Sequence, residues 1–93
     1  MRTVRYTSRF KRDYRREKSG RHGKILDAAL LAVARRLAAD APLPRSNHDH
    51  PLSGAWADHR DCHIKPDLVL IYRKPDDESL ELVRLGSHSE LGL

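Results

Sequence analysis

The chain has 93 residues, of which 39% are hydrophobic and 33% charged, and its formal net charge is +5. That length allows one modest core, so we expect residues 1–93 to form a single domain. The lone cysteine, Cys62, excludes an internal disulfide and suits a reducing cytosol. No apolar run is long enough to span a bilayer and no signal-peptide core follows the N-terminus, so we expect a cytoplasmic protein without membrane contact.

The positive charge lies in the first half of the chain. Residues 1–47 hold 13 Lys and Arg against 4 Asp and Glu, a net of +9, whereas residues 48–93 hold 5 against 9, a net of −4. Such polarity suits a polyanion held by one half and chemistry or a partner contact on the other. A solvated basic helix face would give the same count, but the density and sidedness of the arginines favour nucleic acid.

The first elements predicted are a strand and a basic helix. Residues 2–7 alternate loosely and indicate a short strand. The helix that follows has Ser8 as its N-cap and Gly20 as its stop. Phe10 and Tyr14 form its narrow apolar stripe. The cations of this helix that we expect to contact the phosphates of a nucleic acid are Arg9, Lys11, Arg12, Arg15 and Arg16.

A second, amphipathic helix is predicted over residues 24–39, because apolar side chains recur there every three or four positions. Pro42 and Pro44 end the resulting helical hairpin.

Beyond the prolines, the pattern predicts three strands, over residues 58–65, 68–72 and 80–85. The middle run is continuously apolar, which is typical of a central strand covered on both faces. The last strand ends before Gly86, and a C-terminal tail follows. The order β-α-α-β-β-β predicts an α+β fold, in which the helical hairpin packs on one face of a small, antiparallel-rich sheet.

Imidazoles and carboxylates are concentrated in the second half of the chain, which holds five of the six histidines. Because alternate strand residues share a face, Asp61, His63 and Lys65 project together, while Cys62 and Ile64 point into the core. We expect the first three to reach the open side of the sheet. If the last strands pair as hairpins, Asp67, Arg84 and His88 would converge with them on that side of the sheet.

These groups suit the transesterification of RNA. One group takes the proton of the ribose 2′-OH as it attacks phosphorus, another protonates the departing 5′-oxygen, and a cation stabilises the added charge. Histidine titrates near neutral pH and fits either proton role, and the reaction requires no metal. A metal site is disfavoured, because His59 and His63 would stand ~13 Å apart on a strand and a single cysteine provides no zinc knuckle.

Structural explanations compete with functional ones for several residues. Asp67 would close the turn that follows the first of the three strands. Arg84 would form an ion pair with Glu81 or Asp61. His22 and His59 are expected at the surface. His48 is expected in a polar loop, where a solvated role and a functional role are equally open.

Three short motifs resemble those of a known family. They lie in residues 49–56, 60–72 and 84–88 and have the forms H-P-L-x-G-x-W, R-D-x-H-x-x-P-D-x-x-L-I-Y and G-[ST]-H. With the predicted element order, they make the chain similar to the YafQ branch of the RelE/ParE toxin superfamily. The resemblance covers essentially the whole chain and implies a RelE-like fold.

The resemblance implies a type II toxin that needs no cofactor or metal. Such a toxin is an endoribonuclease, an mRNA interferase that cuts the message in the ribosomal A site and inhibits translation. Its implied partners are the ribosome with its rRNA, the mRNA, and a cognate antitoxin of the DinJ-like ribbon-helix-helix family. Carried over by motif, the catalytic residues are His50, Asp61, His63, Asp67 and His88. The phosphate-binding residues outside the first helix are Lys65 and Arg84.

In this implied site His88 would lead in proton transfer, and His50 and His63 would assist. Asp61 and Asp67 would orient or tune the imidazoles. Relatives commonly carry an aromatic residue after the last histidine, whereas this chain ends in Ser-Glu-Leu-Gly-Leu, so we expect codon preference or rate to differ.

Two other functions stay open at this point. A non-catalytic ParE-like toxin would block DNA gyrase and would have no need of the histidines and carboxylates. A basic RNA-binding module without toxicity would explain the charge asymmetry alone.

Overall fold

The fold is built on a five-stranded mixed sheet with a helical hairpin on one face. In the computed structural model, which describes residues 1–93, the strands are β1 (Thr3–Tyr6), β2 (His50–Pro51), β3 (Arg60–Lys65), β4 (Leu68–Arg73) and β5 (Ser79–Gly86). The helices are α1 (Ser8–Lys18), α2 (Gly23–Ala38) and α3 (His88–Leu91). None of them combines the length and apolarity needed to cross a membrane.

The strand order in the sheet is β1-β5-β4-β3-β2. Strand β1 runs parallel to β5, and all other neighbours are antiparallel. Strand β4 lies in the middle, and residues 68–72 are all buried, as expected of a strand covered on both faces. The predicted α+β fold with an antiparallel-rich sheet is confirmed.

The main core lies between the hairpin and the inner face of the sheet. Cys62 and Ile64 point into it, as the alternation on β3 predicts. The largest set of core residues comes from α2, namely Leu26, Leu30, Val33, Leu37 and Ala38.

The outer face of the sheet is not fully open. Val69, Ile71 and Leu91 are buried there, and Leu52 and Trp56 pack against them. Helix α3 and the loop after β2 therefore cover part of the face on which the candidate catalytic groups were expected to be exposed.

Three local features differ from the prediction. Thr7 rather than Ser8 is the N-cap of α1, because its Oγ1 accepts from the N–H of Phe10 at 2.9 Å. A two-residue strand, β2, is added; it is too short to show an alternating pattern. The predicted tail forms α3 because Ser87 and Glu90 make a capping box.

Helix α1 covers the part of β5 that β1 leaves unpaired. The Thr7 hydroxyl donates to the carbonyl oxygen of Val83 at 2.8 Å. The N–H of Leu85 donates to Asp13 Oδ2 at 3.0 Å, and Arg16 Nη2 donates to the carbonyl oxygen of Leu85 at 2.9 Å. Side chains of α1 thus replace a neighbouring strand and protect an otherwise open sheet edge.

Candidate active site

Three imidazoles form a row on the outer face of the sheet. The ring centroids of His48 and His63 are 5.1 Å apart, and those of His63 and His88 are 5.0 Å apart. They come from the loop before β2, from β3 and from the first residue of α3. His48, which the sequence left between a solvated and a functional role, therefore lies in the row with two predicted catalytic histidines.

Local structure holds each member of this row. Asn47 Nδ2 donates to the carbonyl oxygen of His63 at 2.7 Å, which ties the loop to β3. His48 adopts a left-handed backbone with φ 47°, a conformation that non-glycine residues adopt rarely. The capping box of Ser87 starts α3 at His88.

Asp61 lies beneath this row and is only 1% exposed. Its Oδ1 is buried without a hydrogen-bond partner, although His50 Nδ1 is 3.1 Å away. That nitrogen is instead hydrogen-bonded with the carbonyl oxygen of His48, at 2.8 Å. The expectation that Asp61 reaches an open surface is wrong, because the apolar cluster on the outer face and the neighbouring strands cover it.

The surroundings shift the protonation of two of these groups in directions that matter for proton transfer. Burial raises the pKa of Asp61, and the positive charges that His50, His63 and His88 can carry only partly oppose this. Partial burial and the neighbouring imidazoles of His88 and His48 lower the pKa of His63, against the pull of Asp61. His63 is therefore neutral at pH 7 and able to accept a proton.

Asp67 does not contact the histidine row. It lies in the turn between β3 and β4, where its Oδ1 is 2.9 Å from His22 Nε2 and its other oxygen pairs with Arg21. Its contacts tie the turn to the loop between α1 and α2 instead of orienting His50, His63 or His88. His22, expected at the surface, is thus partly buried and bonded.

Arg84 is held by a partner that the sequence analysis missed. Its Nε donates to Asp13 Oδ2 at 2.6 Å and its Nη2 lies 3.3 Å from Oδ1. The predicted pairing with Glu81 or Asp61 is wrong, because α1 packs against the β5 edge and brings Asp13 there. With 13% of its side chain exposed, Arg84 has little surface to offer a phosphate.

The other predicted phosphate contacts are arranged in two groups. Lys65 is half-buried at the end of β3. The five α1 cations predicted to contact phosphates are all exposed. Of these five, Arg16 is already bonded within the chain, to Asp13, Glu17 and the carbonyl oxygen of Leu85.

Asp49 was also missed as a site residue, although it stands between two histidines in the sequence. The Tyr72 hydroxyl donates to its Oδ1 at 2.6 Å, and Arg60 Nε donates to the same oxygen at 3.2 Å. This pair of bonds anchors the loop that carries His48 and His50. Its partners are far away in the chain, so only the interleaved H-D-H pattern could have indicated it.

No group of three or more His, Cys, Asp or Glu side chains is placed to hold one ion. The row of imidazoles is instead arranged as neighbours that can pass or share protons over a buried carboxylate.

Comparison with known proteins identifies relatives over nearly the whole chain. A family model described as a bacterial toxin of type II toxin–antitoxin system, YafQ, matches residues 2–92. An mRNA interferase toxin YafQ of Escherichia coli strain B is 33% identical over 90 residues, covering 97% of this chain and 95% of that protein. The toxin of the same name from strain K12 is 48% identical over 50 residues, which is 54% of this chain and 53% of that one.

Solved structures share the fold. A metal-bound toxin from Helicobacter pylori superposes with a TM-score of 0.81 at 39% identity, covering 98% of this chain and 99% of that one. The Escherichia coli DinJ-YafQ toxin-antitoxin complex contains a chain with a TM-score of 0.78 at 31% identity, covering 97% and 96%.

Proposed function

Because the chain belongs to the YafQ family of bacterial type II toxins, we propose that it is an mRNA interferase, an endoribonuclease that cuts messages on the ribosome. The observation that carries the proposal is the row of His48, His63 and His88 above the buried carboxylate of Asp61. The activity also agrees with the names of two relatives.

The cleavage would be a transesterification. His63, neutral at pH 7, accepts the proton of the ribose 2′-OH while that oxygen attacks phosphorus. His88, exposed at the start of α3, protonates the departing 5′-oxygen, and the products are a 2′,3′-cyclic phosphate and a 5′-hydroxyl. No water molecule is consumed and no metal takes part in any step.

Asp61 and His50 act on the row from below and beside it. A carboxylate held in a low-polarity site stabilises imidazolium more than an exposed one would, because the charges are poorly screened. Asp61 therefore stabilises the state in which a neighbouring imidazole holds the transferred proton. His50, whose Nδ1 lies 3.1 Å from Asp61, would orient the scissile phosphate or relay the proton.

Binding to the ribosome would come from the exposed face of α1. Phosphate contacts supply affinity without reading sequence, and their strength depends on salt. The cations available for this role are Arg9, Lys11, Arg12 and Arg15, with Lys65 nearer to the site. Arg84 and Asp67, being tied to other elements, would support the scaffold more than the chemistry.

A cognate antitoxin would neutralise the protein, as the DinJ complex of the Escherichia coli relative suggests. A ribosomal target would also place the protein in the cytoplasm.

The direct test is cleavage of a translated message by the purified chain and its His88→Ala and His63→Ala variants, with 5′ ends mapped. Each protein is first stripped of metal with EDTA and exchanged into EDTA-free buffer, so that the ribosomes keep their magnesium. We expect ribosome-dependent cuts inside codons, with 2′,3′-cyclic phosphates at the new 3′ ends. The cleavage rate should fall by about 100-fold or more in either variant. His59→Ala, which alters a histidine outside the row, is the matched control and should cleave normally.

Other outcomes have definite meanings. Cleavage that persists in a variant lacking His50, His63 and His88 would refute the catalytic assignment. Cleavage that is lost after EDTA stripping of the protein and restored by an added transition-metal ion would refute the metal-independent mechanism. Growth arrest with intact messages and gyrase-linked DNA breaks would replace the proposal by a ParE-like function.

A further inference from the structure

Arg16 differs in its side-chain contacts from the other four α1 cations that were predicted to contact phosphates. Its Nη1 donates to Asp13 Oδ1 at 3.0 Å, its Nη2 to the carbonyl oxygen of Leu85 at 2.9 Å and its Nε to Glu17 at 2.9 Å. The Nε also lies 3.2 Å from Oε2 of Glu90 in α3. The exposed cations of this helix whose side chains make no hydrogen bond or ion pair within the chain are Arg9, Lys11, Arg12 and Arg15.

Helix α3 has few connections to the rest of the molecule. Leu91 is its one buried residue and packs on the outer face of the sheet. The bonds between Ser87 and Glu90 close the helix on itself. The contact of Glu90 with Arg16 is the one hydrogen-bonded or ionic side-chain link from α3 to another element.

The turn from β5 into α3 is packed tightly around the Arg16 guanidinium. A Cβ at Gly86 would stand 3.0 Å from Arg16 Nη2 and 3.2 Å from Glu90 Oε1. The guanidinium therefore touches the chain on both sides of this turn, at Leu85 before it and at Glu90 after it. Because Asp13 is buried, the guanidinium is also fixed from the helix side.

We propose that Arg16 is a positioning residue that holds the turn between β5 and α3 and thereby keeps the His88 imidazole beside His63. This inference rests on the proposed catalytic role of His88 and moves Arg16 from the RNA-contacting set to the support of the site. The pair of Arg16 with Glu90 is weak by itself, since both side chains are 42% exposed. The anchored geometry is what matters, because displacing a catalytic group by ~1 Å can cost about 100-fold in rate.

The kinetic test compares arginine-to-glutamine changes in ribosome-programmed cleavage. Arg16→Gln is expected to lower kcat by about 10- to 100-fold and to leave KM for the ribosome within about twofold. Arg12→Gln, one turn away on the same helix, should raise KM. It should also make KM less dependent on salt, by the amount expected for the loss of about one phosphate contact. Arg35→Gln on α2, an exposed arginine without side-chain bonds, is the control and should change neither constant.

A structural readout separates positioning from a general loss of stability. In the NMR spectrum of Arg16→Gln, cross-relaxation between the His63 and His88 rings should weaken, while that between His48 and His63 stays as in the wild type. Glu90→Gln, which keeps an acceptor for the Ser87 N–H, should show a smaller effect. The double variant should be no worse than Arg16→Gln, because the two changes remove one contact.

The outcomes separate this inference from the proposed function. If the wild type cleaves and Arg16→Gln raises KM with kcat and the His63–His88 signal unchanged, Arg16 binds RNA and the inference is wrong. If Arg16→Gln fails to fold, an unchanged kcat and ring signal in Glu90→Gln refutes it. A wild type that does not cleave refutes the proposed function, and the ring signals then still decide whether Arg16 positions His88.

Discussion

Two buried aspartates, Asp13 in α1 and Asp61 under the histidine row, show how differently this small domain treats a carboxylate. They are 3% and 1% exposed. Asp13 accepts four hydrogen bonds, from Arg84, Arg16 and the N–H of Leu85. Asp61 has an oxygen without a hydrogen-bond partner, and His50 Nδ1 lies 3.1 Å from that oxygen.

Their protonation follows from these surroundings. Burial opposes the ionisation of Asp13, but the hydrogen bonds from Arg84 and Leu85 and the charges of Arg84 and Arg16 outweigh it and lower the pKa. At Asp61 burial prevails, and the pKa is raised. A fully satisfied buried charge belongs to the architecture, whereas a poorly satisfied one marks a site where the fold accepts a cost for function.

The largest effect that we expect from this comparison is on stability. Asp13→Asn removes the charge that pairs with two arginines and the β5 edge, so the free energy of unfolding should fall by about 3 kcal/mol. Urea denaturation of the variant and wild type measures it. A loss below about 1 kcal/mol would show that the ion pairs are as weak as exposed ones.

The next effect concerns Asp61 and should fall on activity. Asp61→Asn removes a poorly compensated buried charge, so the free energy of unfolding should change by less than about 1 kcal/mol. The cleavage rate should drop at least about tenfold, because the histidine row loses its counter-charge. Parallel rate and urea measurements test this, and equal losses of stability in the two aspartate variants would remove the distinction between them.

The smallest effect is a difference in pH dependence. The folded pKa of Asp13 is lowered, so its stabilisation is complete above the usual aspartate value of 3.8 and is lost as the pH falls below it. The folded pKa of Asp61 is raised, so stability is lost as the pH rises from 3.8 through that pKa. The measurement is the urea midpoint of the wild type minus that of each Asn variant, between pH 3 and 6. This difference should rise with pH for Asp13→Asn and fall with pH for Asp61→Asn.

The sequence by itself determined which segments form the core and on which face of a strand each side chain lies. Alternation on β3 placed Cys62 and Ile64 inside and Asp61 and His63 on the other face, because side chains of a strand alternate whatever surrounds it. The apolar run in residues 68–72 likewise identified the central strand. The short motifs then indicated the family, and the family match and the shared fold confirm it.

Only the tertiary structure decided which polar groups meet. Asp13 and Arg84 are 71 positions apart in the chain, and Asp67 faces His22 across 45, so no local pattern records either contact. His48 joins His63 and His88 because Asn47 and Asp49 anchor its loop to β3 and to Tyr72. Periodicity specifies the face on which a side chain lies, whereas pairing across that face depends on how helices and loops pack, which depends on the whole chain at once.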